Sequence, residues 1–184
     1  MSGIMRKRSE FFNRALSGNW SEKKDRLVEL PEDDPEIFAF YINIIYTGAI
    51  SSQTDNHRLP NNELQAYFLA IVKSYILAEK LQDKQAKNTA LLTLHTVTVR
   101  LSFPERLPNA EIVDLMYKNT SKGSLGRRLM VDIWNNNYTK TVLEKSESIC
   151  KDFFVDLAYS IYGQRQKKPS VAWDMPSTTY EEEL

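Results

Sequence analysis

Three consecutive carboxylates, Glu32, Asp33 and Asp34, form a dense group of potentially reactive side chains inside the folded part that the sequence predicts. Such a group could bind a metal or supply an acid and a base for catalysis. However, the run leads directly into Pro35, and acidic residues before a proline are typical of a helix start. Asp34 can cap the helix there, and the negative charges complement its positive end. We therefore interpret all three as helix-start residues.

The other candidates are Cys150, His57 and His95. A single cysteine cannot form an internal disulfide, and one cysteine with two histidines does not complete a Cys/His zinc site. His57 falls in a polar loop predicted over residues 51–62, where we expect it to be solvated. His95 falls in a predicted helix, where we expect a packed or half-exposed side chain. We expect no metal site.

Residues 123–128 (GSLGRR) could form a phosphate-binding nest at a helix start, with Arg127 and Arg128 beside it. The simpler interpretation is that the glycines make the turn before a helix over residues 125–134. The sequence contains no G-x-S-x-G, H-E-x-x-H or Walker A motif. We accordingly expect no catalytic residue and no cofactor.

The overall charge argues against nucleic acid and membrane partners. The 184 residues include 24 Lys and Arg and 24 Asp and Glu, so no global field attracts an anionic surface. The two basic clusters, residues 6–8 and 165–168, are shorter than a nuclear-import signal and are expected to be solvated. The best apolar stretch is interrupted by Lys73 and Ser74, and no secretory signal precedes it. We expect an intracellular protein.

The hydrophobic periodicity predicts a mostly helical chain with one short strand at residues 26–30. The helix over residues 36–46 is almost wholly apolar, so we expect it to be buried on most sides. Ser9 is a suitable cap for the first helix, and Gly48 should end the apolar one. The predicted helices cover residues 9–16, 36–46, 63–82 and 84–101, followed by short helices around residues 112–116, 125–134 and 153–161.

Four motifs in order along residues 9–50 resemble the BTB/POZ domain, especially that of filamentous-fungal proteins. They are S-E-F-F, A-L-x-G-x-W-x-E, V-x-L-P-E-D-D-P and I-Y-T-G. The resemblance continues through YILAEKLQD at residues 75–83 and Lys87-Asn88. Residues 112–134 resemble the helical extension that follows the domain in fungal members.

The resemblance implies an α+β, mostly α fold. It divides the chain into a BTB/POZ domain at residues 1–102, a helical extension at 103–162 and a tail at 163–184 that we expect to be disordered. The family has a β-hairpin and a helix upstream of S-E-F-F, and only eight residues precede Ser9 here. We therefore expect the domain to be N-terminally incomplete, and homodimerisation, which uses those elements in relatives, to be doubtful.

The family is a protein–protein interaction module, and several members bridge Cullin-3 ubiquitin ligases to substrates. Their cullin contact is a hydrophobic-x-Glu motif between the S-x-F-F helix and the next strand, which Trp20, Ser21 and Glu22 match here. The alternative is that Trp20 packs on the core and Glu22 is only solvated. Two other functions stay open: a self-associating or transcription-linked scaffold that binds no cullin, and a small helical enzyme.

Overall fold

A computed structural model of the chain describes residues 2–17, 28–50, 59–101, 106–136 and 149–165. These ranges contain eight helices and no strand. The mostly helical fold class is thereby confirmed. The helices are α1 (Ser2–Arg8), α2 (Glu10–Ser17), α3 (Pro35–Thr47), α4 (Asn61–Lys80), α5 (Lys84–Leu101), α6 (Ala110–Asn119), α7 (Leu125–Asn136) and α8 (Lys151–Arg165).

The strand expected at residues 26–30 is not found in the part of it that the structure describes. Residues 28–30 lack regular secondary structure, and residues 26 and 27 lie outside the described ranges. Val28 and Leu30 are half-buried and pack against the core. A strand needs a neighbouring strand for its backbone groups, and the described residues provide none. The apolar side chains and the hydrogen bond from the Asp33 N–H to the Leu30 carbonyl, at 3.2 Å, hold this segment.

The helix boundaries follow the capping residues of the sequence. The Ser9 hydroxyl accepts a hydrogen bond from the Phe12 N–H at 3.2 Å and so caps α2. Asp34 caps α3 by accepting from the Glu36 N–H at 2.9 Å, and Pro35 occupies the first turn. Gly48 ends α3 with a φ of 68°, which glycine adopts without strain. These three predictions are confirmed.

The expectation that α3 is buried on most sides is met except along one exposed stripe, since Ile37, Phe38, Phe40 and Ile42 are half-buried against the core. Its buried face carries Tyr41, Ile44 and Ile45, whereas Ala39 is exposed and Tyr46 is 56% exposed. The helix contacts α1, α4 and α5. Because the described residues include no sheet to cover the opposite side, its apolar sequence is only partly enclosed.

The antiparallel pair α4 and α5 forms the centre of the molecule, and one hydrophobic cluster extends from α1 to α8. Helix α6 packs on α4, α7 packs on α5, and α8 lies against α6 and α7. The rings of Tyr117 and Trp134 each meet Phe153 edge-on, with centroids 5.5 and 5.3 Å apart. The helices predicted in the C-terminal half are therefore present and share the core of the N-terminal half.

Gly126 lies at a close contact between the two halves. A Cβ atom at this position would lie 2.6 Å from Cε1 of Tyr75 on α4 and 2.7 Å from Sδ of Met116 on α6. The Gly126 N–H also donates to the Tyr75 hydroxyl at 3.3 Å. The start of α7 can approach α4 this closely because residue 126 has no side chain.

The remaining sequence predictions concern His95, His57 and the tail. His95 is buried on α5, in agreement with a packed helix residue. His57 lies outside the described residues. The tail expected from residue 163 begins as the last turn of α8, up to Arg165, and residues 166–184 lie outside the described ranges.

Candidate interaction surface

Trp20, Ser21 and Glu22 belong to residues 18–27, which lie outside the described part of the chain. The structure does define the two ends between which this segment runs. It leaves α2 after Ser17 and rejoins the described chain at Val28, which packs against the core. Helix α2 and the residues from Val28 onward are each held by contacts with the core.

Helix α2 is held by its N-terminus, which meets the end of α4. The fully buried Ser9 hydroxyl donates to the Leu81 carbonyl at 2.5 Å. The Phe11 N–H also points to the Leu81 carbonyl, at 3.4 Å, and Phe12 is buried in the core. The free N–H groups of one helix start thus pair with the free carbonyls of a helix end.

The α4–α5 turn that receives α2 has the hydrogen-bond pattern of a Schellman motif. The Asp83 N–H donates to the Ala78 carbonyl at 2.9 Å, and the Gln82 N–H donates to the Glu79 carbonyl at 3.1 Å. Gln82 has a φ of 54°, a left-handed conformation that costs energy in a residue with a side chain. The turn aligns Asp83 with the first turn of α5.

Asp83 is a fully buried carboxylate that joins three elements. It accepts from the Tyr41 hydroxyl at 3.1 Å and from the Ala86 N–H at 2.9 Å, so that it also caps α5. The Arg8 Nε lies 3.5 Å from its Oδ1. Burial, and then the negative charge of Asp83, raise the pKa of Tyr41 far above its usual value. We call Arg8, Tyr41 and Asp83 the Asp83 cluster.

The expectation that residues 6–8 form a solvated basic patch is wrong for Arg8. Its side chain is only 14% exposed, and its Nη1 donates to the Ile45 carbonyl at 3.4 Å. The signal for Asp83 was available, because an aspartate directly before an amphipathic segment is a typical helix cap. Arg8 offered no such signal, because its carboxylate partner is 75 residues away in the sequence.

The carboxylates before α3 act as helix-start residues and also attach that helix to α4. The pKa of Asp34 is lowered chiefly by the hydrogen bond from the Glu36 backbone N–H. Lys73 lies 3.3 Å from Asp34, and Lys80 lies 2.8 Å from Asp33. No group of three His, Cys, Asp or Glu side chains suited to a metal ion occurs within the described ranges.

The GSLGRR segment is used for packing and helix capping. Gly123 makes the predicted turn with a φ of 87°, but Gly126 lies inside α7 and not in the turn. The guanidinium of Arg127 donates to the carbonyls of Tyr117 (2.6 Å) and Thr120, and it lies 4.7 Å from the centre of the Tyr117 ring. Arg127 thus caps the end of α6, so this side chain is occupied by the protein itself.

The polar side chains described above fasten one helix to another: Ser9 and Asp83 join α2 and α5 to their neighbours, and Arg127 joins α7 to α6. These polar side chains therefore stabilise a helical scaffold. None of the helices in the described ranges has the length and apolar character needed to cross a bilayer.

Comparison with models of protein families identifies the family of the N-terminal half. Residues 3–87 match the family model of the BTB/POZ domain, so this part of the chain is a BTB/POZ domain, a protein–protein interaction module. The match includes α1 to α4, the Asp83 cluster and the start of α5. Comparisons with curated proteins and with solved structures found no match.

Proposed function

We propose that this protein is a substrate adaptor of a Cullin-3 ubiquitin ligase and that Trp20, Ser21 and Glu22 contact the cullin. The observation that carries the proposal is the BTB/POZ match over residues 3–87, which includes these three residues. The motif follows the S-E-F-F helix, as the cullin contact does in the adaptors that the sequence resembles. We place this activity inside the cell.

Both flanks of the proposed contact segment are anchored. Ser9 and Phe12 fix α2 before it, and Leu30 packs on the core after it. Asp33 and Asp34 then attach the chain to α4 through Lys80 and Lys73. Because ten residues connect two fixed ends, the segment loses less conformational freedom on binding than a free peptide would.

Tryptophan is a strong candidate for an interface anchor because large aromatic side chains dominate binding free energy when they are desolvated. A glutamate two residues away adds charge, which favours association and register more than affinity. We therefore expect Trp20 to contribute more binding free energy than Glu22.

The surface that would recruit a substrate lies, in this proposal, on the helical extension at residues 103–162. Helix α8 exposes Val155 and Tyr159, four residues apart on one face, to 41% and 73%. The core shared between α6–α8 and α4–α5 would hold such a substrate at a fixed place relative to the cullin. The boundaries at residues 102 and 162 and the tail after 163 are part of the same proposal.

The test is calorimetric titration of the N-terminal domain of Cullin-3 with the full chain and two variants. We expect Trp20→Ala to weaken binding by at least about a hundredfold, as for a hot-spot residue, and Glu22→Ala by about tenfold. Tyr159→Ala, which truncates an exposed aromatic side chain on α8, and Glu111→Ala, on α6, serve as matched controls and should bind as the wild type does.

Absence of cullin binding by a chain with a cooperative unfolding transition would reject the adaptor function. Wild-type affinity in both Trp20→Ala and Glu22→Ala would reject the proposed contact. Self-association measured by sedimentation, together with no cullin binding, would favour the scaffold function instead.

A further inference from the structure

The outward face of α8 is both exposed and apolar. Val155, Tyr159 and Tyr162 are 41%, 73% and 64% exposed. The inward face, on which Phe153 and Leu157 are buried, is apolar as well. A surface helix usually carries polar residues on its outward side, whereas a helix that is apolar on both sides is usually enclosed. The outward face of α8 therefore has the composition of a contact surface that the described residues leave open.

The exposed residues of this face have the spacing of a helix–helix contact. Val155, Ala158 and Tyr162 follow one another at steps of three and four residues, and Tyr159 lies beside them. We call these four residues the α8 seam. In a coiled-coil contact, side chains at this spacing insert between those of a second helix. The seam therefore suits an apolar helix as its partner.

The α8 seam is uncharged, which suits contact with a second copy of the same helix. The exposed residues between 155 and 163, a stretch that the structure describes throughout, all lack charge. Asp156 is half-buried and accepts a hydrogen bond from the Tyr117 hydroxyl at 2.9 Å. In a twofold-symmetric contact, each residue near the axis meets its own counterpart, so a charge there would face the same charge. The seam places no such repulsion at the axis.

The side-chain sizes along the seam are also self-complementary. If two α8 helices cross antiparallel with the twofold axis near Ser160, Ala158 of each copy lies opposite Tyr162 of the other. The small side chain leaves room for the large ring, as closely packed helices require. In the same arrangement, Tyr159 lies beside its own counterpart close to the axis.

We propose that two copies of this chain associate through the α8 seam. A tyrosine buries about 150–250 Å², so the exposed parts of Tyr159 and Tyr162 together present roughly 200–350 Å². Because a stable interface buries about 800 Å² on each partner, the seam supports a weak and reversible dimer. The contact lies outside residues 3–87, which match the BTB/POZ domain. It uses the face of α8 that the adaptor proposal assigns to a substrate, so a second copy and a substrate would compete for it.

Sedimentation velocity of the full chain tests the proposal over a concentration range from about 10 μM to about 500 μM, which suits a weak dimer. We expect the average sedimentation coefficient of the wild type to rise with concentration. Tyr159→Glu and Tyr159→Lys should each weaken self-association by about tenfold or more, because each brings like charges together near the axis. An equimolar mixture of these two variants should associate more strongly than either alone, because opposite charges then meet. Tyr46→Glu, which changes an exposed tyrosine on α3, is the matched control and should associate as the wild type does.

A wild type that stays monomeric throughout this range would overturn the proposal and leave the seam to another occupant, such as residues 166–184 or a different protein. Equal weakening by Tyr46→Glu, or no gain in the mixture of Tyr159 variants, would also overturn it. Because Tyr159 is largely exposed, its variants should keep the wild-type melting temperature, which separates loss of the contact from loss of fold. Cullin binding should be unchanged in Tyr159→Glu, so failure of either proposal is visible without the other.

Discussion

Replacement of Gly126 by alanine should destabilise the protein, although alanine is the better helix former. The added Cβ would lie 2.6 Å from Cε1 of Tyr75, a separation that such atoms do not adopt without movement. Tyr75 is almost fully buried, and its hydroxyl accepts the Gly126 N–H, so the ring cannot withdraw without losing that contact. The thioether of Met116 can adjust more easily, because its end is flexible.

The expected magnitude follows from two opposing effects. Overpacking of a core costs about 1–3 kcal/mol, whereas exchanging glycine for alanine in a helix contributes up to about 1 kcal/mol. The net loss of unfolding free energy lies between about 0 and 3 kcal/mol, and we expect the middle of that range, about 1–2 kcal/mol. For a chain of this length that lowers the melting temperature by roughly 2–8 °C.

Circular dichroism during thermal and urea unfolding measures the effect, and Gly163→Ala is the matched control. Gly163 lies in α8 with no atom within 4 Å of its hypothetical Cβ, so alanine there should leave stability unchanged or raise it by up to about 1 kcal/mol. If Gly126→Ala melted at or above the wild-type temperature, α7 would not be seated against α4 as described.

Three further predictions concern the Asp83 cluster and the turn beside it. Asp83→Ala should lower the free energy of unfolding by about 3–5 kcal/mol, because Arg8 loses its carboxylate partner. Asp83→Asn should lower it by less, because asparagine can still cap α5. Equal losses for the two variants in urea titrations would contradict this expectation. Gln82→Gly should stabilise by up to about 1 kcal/mol, since glycine adopts the φ of 54° without strain, and Gln82→Val should destabilise. The pKa of Tyr41 is raised in the folded protein, so above pH 10.0, the usual value for tyrosine, the unfolded chain loses this proton before the folded chain does. The free energy of unfolding should therefore keep the full contribution of Tyr41 below pH 10.0 and fall as the pH rises above it. Tyr41→Phe should show a smaller alkaline loss in the same melts, and an unchanged loss would refute the assignment.

Local chemistry allowed much of the helical framework to be predicted. Ser9, Asp34 and Gly48 mark helix ends by groups within a few residues, so they could be recognised from sequence alone. The amphipathic repeats on α4 and α5 predicted both helices because each needs one buried face. The carboxylates before α3 were also interpreted as helix-start residues on local grounds.

Features that depend on distant residues could not be predicted in this way. The burial of Arg8 requires the Asp83 carboxylate in the α4–α5 turn, and the outward face of α3 depends on which elements cover it. Gly126 resembles a turn glycine in sequence, whereas its actual role depends on Tyr75 being opposite. The residue pattern at 26–30 predicts a strand, but a strand forms only where a partner is available.

Hydrogen–deuterium exchange of the chain with and without the Cullin-3 N-terminal domain tests the central claim most directly. We predict that peptides covering residues 18–27 become protected on complex formation, while peptides covering α6 and α8 exchange at unchanged rates. Unchanged exchange at residues 18–27 in a formed complex, or protection confined to other segments, would contradict the assignment of Trp20, Ser21 and Glu22 as the cullin contact.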